Sequence, residues 1–170
     1  NVNRDDDYTG NWTINLGDGN DSLLSAKLKN GDSVDMGAGD DSVSVMLTGS
    51  NGTPSISAAN LTKLDGGAGT DTLQFEESGS NTSELTLTTA GATNFENIIG
   101  TAGAETIKGD NNANVLTGKN GADTLYGYGG NDTLHADSNG STNQTSADVL
   151  YGGAGNDTLY GNAGDNTLDG

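Results

Sequence analysis

Cysteine is absent from the 170 residues, which excludes a disulfide framework and any thiolate metal site. A single histidine, His135, excludes a His-rich zinc site. Six basic residues, Arg4, Lys27, Lys29, Lys63, Lys108 and Lys119, stand against 24 acidic ones, for a formal net charge of −18. Nucleic acid and anionic membrane surfaces are repelled by such a chain. No apolar run approaches membrane-spanning length, so membrane insertion is not expected either. The chain has no initiating Met and no signal-like segment, and Gly170 falls where another repeat would begin. It is therefore expected to be a piece of a longer protein. Hydrophobic residues make up 31 % and aromatics 5 %. That scarcity fits either a disordered acidic tail or a fold held by something besides a core.

Spacing separates the two. Consider a nine-residue frame with Gly at positions 1, 2 and 4, Asp at 6 and an apolar residue at 8. Residues 152–160, Gly-Gly-Ala-Gly-Asn-Asp-Thr-Leu-Tyr, fit it throughout, and Gly66-Gly67-Ala68-Gly69-Thr70-Asp71-Thr72-Leu73 repeats it. Four consecutive units fill 100–135, with Glu105, Asn114, Asp123 and Asp132 at position 6 and Ile107, Leu116, Leu125 and Leu134 at position 8. A seven-residue insert, 136–142, precedes units at 143–151 and 161–169, which carry Asp148 with Leu150 and Asn166 with Leu168. Toward the N-terminus Asp21 with Leu23, Asp32 with Val34, and Asp41 with Val43 keep the frame, as do Trp12 with Ile14 and Glu96 with Ile98. Residues 45–56 and 75–90 break it; Leu85-Thr86-Leu87-Thr88 alternates within the second break and reads as strand. Three segments result: degenerate repeats over 1–56, an irregular segment over 57–99 with one full repeat and a longer break, and regular repeats over 100–170 with the insert at 136–142.

Positions 1 to 6 are turn chemistry, because Gly permits positive φ and close backbone approach. Positions 7 to 9 suit a short strand with position 8 on one face. Two units then make one coil of a solenoid, and units two apart stack. One aliphatic side chain per nine residues is a thin return for ordering nine backbones. Stacking also brings position-6 carboxylates together, where like charges repel. A hard cation between the turns reverses that sign. Calcium accepts six to eight oxygens from carboxylates and carbonyls in a tolerant geometry, where magnesium is stricter.

The Gly-Gly-x-Gly-x-Asp-x-apolar-x nonapeptide resembles the calcium-binding repeat of RTX proteins. The resemblance covers 16–44, 66–74 and 91–169 well and the rest loosely. It implies an all-β, right-handed parallel β-roll with several calcium ions between stacked turns. The position-6 residues Asp21, Asp32, Asp41, Asp71, Asp123, Asp132, Asp148 and Asp157 would supply carboxylate oxygens. Glu105, Asn114 and Asn166 would be weaker donors at the same position. Carbonyl oxygens would come from Gly17 and Gly19, from Gly37 and Gly39, and from Gly66, Gly67 and Gly69. In the C-terminal part they would come from Gly118 and Gly121, from Gly127, Gly129 and Gly130, from Gly152, Gly153 and Gly155, and from Gly161 and Gly164. The implied pairs are Asp123 with Asp148, Asp132 with Asp157 and Asp21 with Asp41, then the mixed pairs Glu105 with Asp123, Asn114 with Asp132 and Asp148 with Asn166. Trp12 opposite Asp32 departs from the motif, and the break at 75–90 leaves Asp71 without an assigned partner.

Other chemistries fit less well. No segment has a twelve-residue loop closing on Glu, as an EF-hand requires. Gly127-Tyr128-Gly129-Gly130 belongs to the nonapeptide register rather than to a dinucleotide-binding turn. His135 falls at position 9 with Tyr126, Tyr151 and Tyr160, an outer-face position rather than that of a catalytic base. No catalytic residue is expected. RTX proteins leave bacteria unfolded by one-step (type I) secretion and fold outside the cell, so the resemblance implies a secreted protein. Its roll would serve as spacer, anchor or secretion-linked domain of an adhesin or surface-layer (S-layer) protein. The alternative is an accessory module of a secreted carbohydrate-active enzyme, lipase or protease. Partners beyond calcium would be further copies in a surface lattice or a cell-surface polysaccharide.

Overall fold

The computed structural model describes residues 10–26, 28, 31–47, 63–77, 84–86, 92–138 and 145–170. The Asp5-Asp6-Asp7 run and most of the 45–56 break lie outside them. All strand pairs are parallel, and no helix occurs among the described residues.

One continuous seven-stranded sheet comprises β2 (Ser22–Ala26), β4 (Ser42–Leu47), β6 (Thr72–Glu77), β9 (Asn97–Ile99), β11 (Val115–Thr117), β13 (Thr133–His135) and β15 (Thr158–Tyr160), hydrogen-bonded in that order. The other strands fall into two sheets. A four-stranded one holds β1 (Thr13–Asn15), β3 (Ser33–Asp35), β5 (Lys63–Asp65) and β8 (Ala92–Thr93). A five-stranded one holds β7 (Glu84–Thr86), β10 (Thr106–Lys108), β12 (Thr124–Gly129), β14 (Val149–Ala154) and β16 (Thr167–Asp169). Apart from β7 and β8, which follow one another in the two shorter sheets, the chain alternates between the long sheet and the others, so strands pair with ones further along the chain rather than with their immediate neighbours. This is a parallel β-roll, as the spacing predicts. The divisions at 56/57 and 99/100 fall between strands of the long sheet, where β4 pairs β6 and β9 pairs β11. β8 ends the first short sheet against β5, and β7 begins the second against β10. Leu85, from the alternating stretch, is in register with Ile107.

Position 8 builds the core. Leu23, Val34, Val43, Leu73, Ile98, Ile107, Leu116, Leu125, Leu134 and Leu150 are all buried in one cluster. Registered pairs such as Leu116 with Leu134 and Leu125 with Leu150 place one position-8 side chain directly over the next. A β-strand turns alternate side chains to opposite faces, so the flanking positions 7 and 9 stay half exposed in β3, β9, β10 and β13.

Two expectations are corrected. The frame breaks at 45 and 75 begin as strand: β4 and β6 extend to Leu47 and Glu77, with Val45 registered on Phe75 and both buried. Apolar alternation there continues past position 9, which a nine-residue frame cannot show. The insert does not begin at 136. Gly118 N donates to His135 O at 3.0 Å and Ala136 N to Tyr160 O at 2.9 Å, so Ala136 occupies the position-1 slot of its turn between Gly118 and Gly161. At position 4, Gly164 packs over the Ser146 carbonyl. The register is thus held at Ala136 and again at Ser146, and residues 139–144 of the expected insert region lie outside the described residues.

Candidate metal centre

The turns stack as the strands do. In the N-terminal coils Gly19 N donates to Ala38 O at 2.7 Å, Ala38 N to Gly17 O at 3.0 Å and Ala68 N to Gly37 O at 2.9 Å. This close stacking fixes the glycines. Gly37 sits at φ +108, and a Cβ there would overlap the Gly17 carbonyl; Gly67 stands in the same relation to Gly37. Gly17, at φ +94, has nothing within 4 Å of its Cβ position. Gly37→Ala is expected to destabilise the calcium-loaded fold by about 2–5 kcal/mol, from positive φ plus overlap. Gly17→Ala should cost only the φ part, about 1–2 kcal/mol. Thermal melts of the two variants in calcium check this difference.

Carbonyl ladders leave the N–H groups at positions 5 and 6 to side chains. At position 6, each carboxyl reaches back to the N–H of the preceding coil. Asp21 N donates to Asp41 Oδ1 at 2.7 Å, Asp41 N to Asp71 Oδ1 at 2.8 Å, and Asp71 N to Glu96 Oε2 at 2.8 Å. Along the same edge of the long sheet, Asn114 N donates to Asp132 Oδ1 at 2.8 Å and Asp132 N to Asp157 Oδ1 at 2.9 Å. The opposite edge carries Glu105 N to Asp123 Oδ1 at 2.7 Å, Asp123 N to Asp148 Oδ1 at 2.9 Å and Asp148 N to Asn166 Oδ1 at 2.8 Å. All six pairs named from the sequence are thus neighbours. Trp12 N donates to Asp32 Oδ1 at 2.8 Å, so that pair stacks too, with one carboxylate. Asp71 acquires partners on both sides, Asp41 and Glu96; Glu96 is in frame at position 6, but the break at 75–90 leaves open which earlier unit it stacks on.

Position 5 runs the other way. Asp40 N donates to Asn20 Oδ1 at 3.1 Å, Thr70 N to Asp40 Oδ1 at 2.9 Å and Asn156 N to Asn131 Oδ1 at 2.9 Å. The Asn and Asp residues recurring there cap the next coil's turn, a role the spacing alone does not reveal.

Asp41, Asp71, Asp123, Asp132, Asp148 and Asp157 each use Oδ1 for this ladder. Oδ2 of Asp21, Asp41, Asp71, Asp123, Asp132, Asp148 and Asp157 is shut away from solvent without a hydrogen-bond partner. The bare oxygens of Asp71, Asp123, Asp132 and Asp157 face the position-1 glycine of their own turn. A Cβ on Gly118 would overlap Asp123 Oδ2 and the Ala136 carbonyl of the next coil; one on Gly127 would overlap Asp132 Oδ2 and the Gly152 carbonyl. Glycine thus keeps open a space where a carboxylate oxygen from one coil meets a carbonyl oxygen from the next. Buried anionic oxygens without donors are costly unless a cation or proton meets them. The donor set is all oxygen, mixes carboxylate with carbonyl, and repeats at the spacing of the coils, which fits calcium. Among the described residues no three acidic or histidine side chains form a ready-made cluster, so carbonyls have to complete each site.

The electrostatics agree. Burial pushes the carboxyls of Asp71, Asp132 and Asp148 above their ordinary value; a backbone N–H opposes the rise in each. Asp123 is pushed up to about 8, first by burial and then by the charges of Glu105, Asp148 and Asp137, against the N–H of Glu105. Carboxylates displaced in this way want either protons or a metal ion. Outside the turns, Tyr126 stacks on Tyr151 at 4.9 Å and His135 on Tyr160 at 4.6 Å between ring centroids, which places position 9 on the outer face.

No curated protein matches the chain. A family model, the RTX calcium-binding nonapeptide repeat, matches residues 99–134 and 144–170 with four copies. It covers coils in which position-6 pairing is regular and leaves out residues 135–143. Repeats of this type bind calcium, and the bare Oδ2 atoms are oxygens of the kind such a site would use. Over residues 99–134 and 144–170 the chain is similar to the RTX calcium-binding nonapeptide repeat.

Proposed function

We propose that this calcium-binding β-roll is a structural segment of an exported bacterial protein. It folds when it meets calcium outside the cell and serves as spacer, anchor or secretion-linked domain of an adhesin or surface-layer protein. One observation carries the reading: the row of buried Oδ2 atoms without partners. A fold that encloses such a row is complete only with cations, and the free energy of binding them becomes free energy of folding. The net charge of −18 keeps the metal-free chain open and soluble, as passage through a secretion channel requires. Catalysis has no place in the scheme. The position-6 carboxylates are tied to the neighbouring coil, and His135 is stacked on Tyr160.

Far-ultraviolet circular dichroism of the purified chain during a calcium titration tests the reading. A disordered spectrum in chelator should convert to β-sheet in millimolar calcium, and magnesium should not replace it. Native-like β signal in chelator at pH 8.5 would sink the proposal.

A second reading rests on the tyrosines. Tyr126, Tyr128 and Tyr151 lie along one face with ring-centroid spacings of 5.9 and 4.9 Å, and Tyr128 and Tyr151 are exposed. Flat aromatic surfaces of this kind stack on sugar rings, which suits an accessory module that holds polysaccharide. Affinity electrophoresis through polysaccharide gels, with Tyr151→Ala as control, separates it from the spacer reading.

A further inference from the structure

Two position-6 residues depart from the bare-oxygen pattern. Glu105 and Asn114 are each 2 % exposed, as enclosed as the aspartates. Their oxygens are met from within their own turns. Glu105 Oε2 accepts from Thr101 N at 3.2 Å, and Oε1 accepts from the Thr101 hydroxyl. That hydroxyl is held in turn by Gly103 N at 3.1 Å. Asn114 Oδ1 accepts from Asp110 N at 2.8 Å, and Asn114 Nδ2 donates to the Glu96 carbonyl at 3.5 Å. Thr101 and Asp110 are the position-2 residues of these two turns.

We propose that the turns 100–105 and 109–114 take no calcium, that the position-2 N–H stands in them where a cation stands in the metal-holding turns, and that position 2 decides which kind of turn forms. The coil that contains them, with β10 and β11, then divides the bare carboxylates into one group at Asp21, Asp41 and Asp71 and another at Asp123, Asp132, Asp148 and Asp157. The proposal rests on the reading of the chain as a calcium-folded roll. It separates turns that the repeat match over 99–134 treats alike.

The place of the oxygens is the same in both kinds of turn. A Cβ on Gly100 would lie against Glu105 Oε2 and the Gly118 carbonyl, and one on Gly109 against Asn114 Oδ1 and the Gly127 carbonyl. This repeats the arrangement at Gly118 and Gly127, with a backbone donor added. A cation entering either turn would meet the positive end of that N–H, and at Asn114 a ligand without charge.

Backbone conformation sorts the turns in the same way. In the turns of Asp21, Asp41, Asp71, Asp123, Asp132 and Asp157, positions 2 and 4 both have positive φ, from +73 at Tyr128 to +147 at Gly69. Among the described non-glycine residues only Asn94, Lys119, Tyr128 and Asn162 have positive φ, so Thr101, Asp110 and Asn112 do not. The residue types account for this. Thr101 is β-branched and resists positive φ. Asp110 is fixed by its own side chain, whose Oδ1 accepts from Asn112 N at 2.7 Å and Oδ2 from Asn112 Nδ2 at 3.0 Å, a local turn of the Asx type.

Ions bound per chain, counted on the full chain by equilibrium dialysis and native mass spectrometry, test this. Glu105→Gln keeps the shape and removes the charge; the count should not change. Asp123→Asn should lose one ion. Thr101→Gly combined with Glu105→Asp installs the residues of a metal-holding turn and should gain one ion, and Asp110→Gly combined with Asn114→Asp should do the same. Asn114→Asp alone leaves the Asp110 N–H in place and should gain none. Loss of an ion in Glu105→Gln, a gain in Asn114→Asp alone, or no gain in a folded double variant would overturn the assignment, and each variant that folds decides by itself. An unchanged count in Asp123→Asn, or absence of calcium binding by the unaltered chain, would instead overturn the reading beneath it.

Discussion

Asp132→Ala should raise the calcium concentration needed to fold the C-terminal coils at least tenfold. Three consequences of the substitution act together. Asp132 Oδ1 accepts the Asn114 N–H at 2.8 Å, and losing it strands a buried donor, which costs about 1–3 kcal/mol. Oδ2, the bare oxygen facing Gly127 and the Gly152 carbonyl, is lost as a metal ligand. The charge matters most, because Asn114 on one side is neutral and Asp132 must share any ion there without help from a second carboxylate. Asp132→Asn separates the terms: an amide oxygen can still cap Asn114, as Asn166 Oδ1 caps Asp148 N at 2.8 Å, but brings no charge. Its calcium midpoint should fall between those of the unaltered chain and Asp132→Ala. Dichroism midpoints and calcium-saturated melting temperatures measure all three. A wild-type titration by Asp132→Ala would mean that position 6 does not hold the metal.

The order of these effects was legible in the sequence because the same nine-residue rhythm controls both the core and the ladder. Leu116 over Leu134 and Asp123 beside Asp148 follow from one rule: a residue meets its equivalent two units on. The rule fails where a unit changes length, and each misplacement has that cause. Counting back from Asp148 assigns position 1 to residue 143, because a frame with an insertion cannot tell which side of it holds the register. Backbone hydrogen bonds decide for Ala136, and that choice brings Asp137 into the turn. The partner of Asp71 was hidden in the same way, since the chain leaves for β7 and returns through β8 before Glu96 arrives. Met36, Phe75, Val45 and Leu28 join the core from positions where the frame expects turn or outer face. They fill the N-terminal coils, where the repeat is degraded and apolar burial substitutes in part for regular turns. Position 5 was legible as composition but not as function, because only stacked coordinates show whose N–H an asparagine caps.

In chelator, lowering the pH should restore β structure that neutral pH removes, and with calcium present the trend should reverse. Five carboxyls, those of Asp71, Asp123, Asp132, Asp137 and Asp148, have raised proton affinity in the fold, each chiefly through burial. A carboxyl raised in the folded state stabilises the fold in its protonated form. That contribution is complete below the ordinary value near 3.8 and is lost as pH rises through the folded value, last of all for Asp123 at about 8. Between those limits the metal-free fold binds more protons than the open chain, so its stability falls with every step upward in pH. Calcium requires the same oxygens ionised, hence its affinity should climb over the same range. A dichroism series from pH 4 to 8.5 in chelator, repeated in millimolar calcium, should therefore give two curves that slope in opposite directions. The chelator series should also flatten progressively in Asp123→Asn, whose side chain has no proton to exchange. Parallel curves would mean that protons and calcium do not compete for the same buried oxygens, and the bare Oδ2 row would lose its role as the switch between open chain and roll.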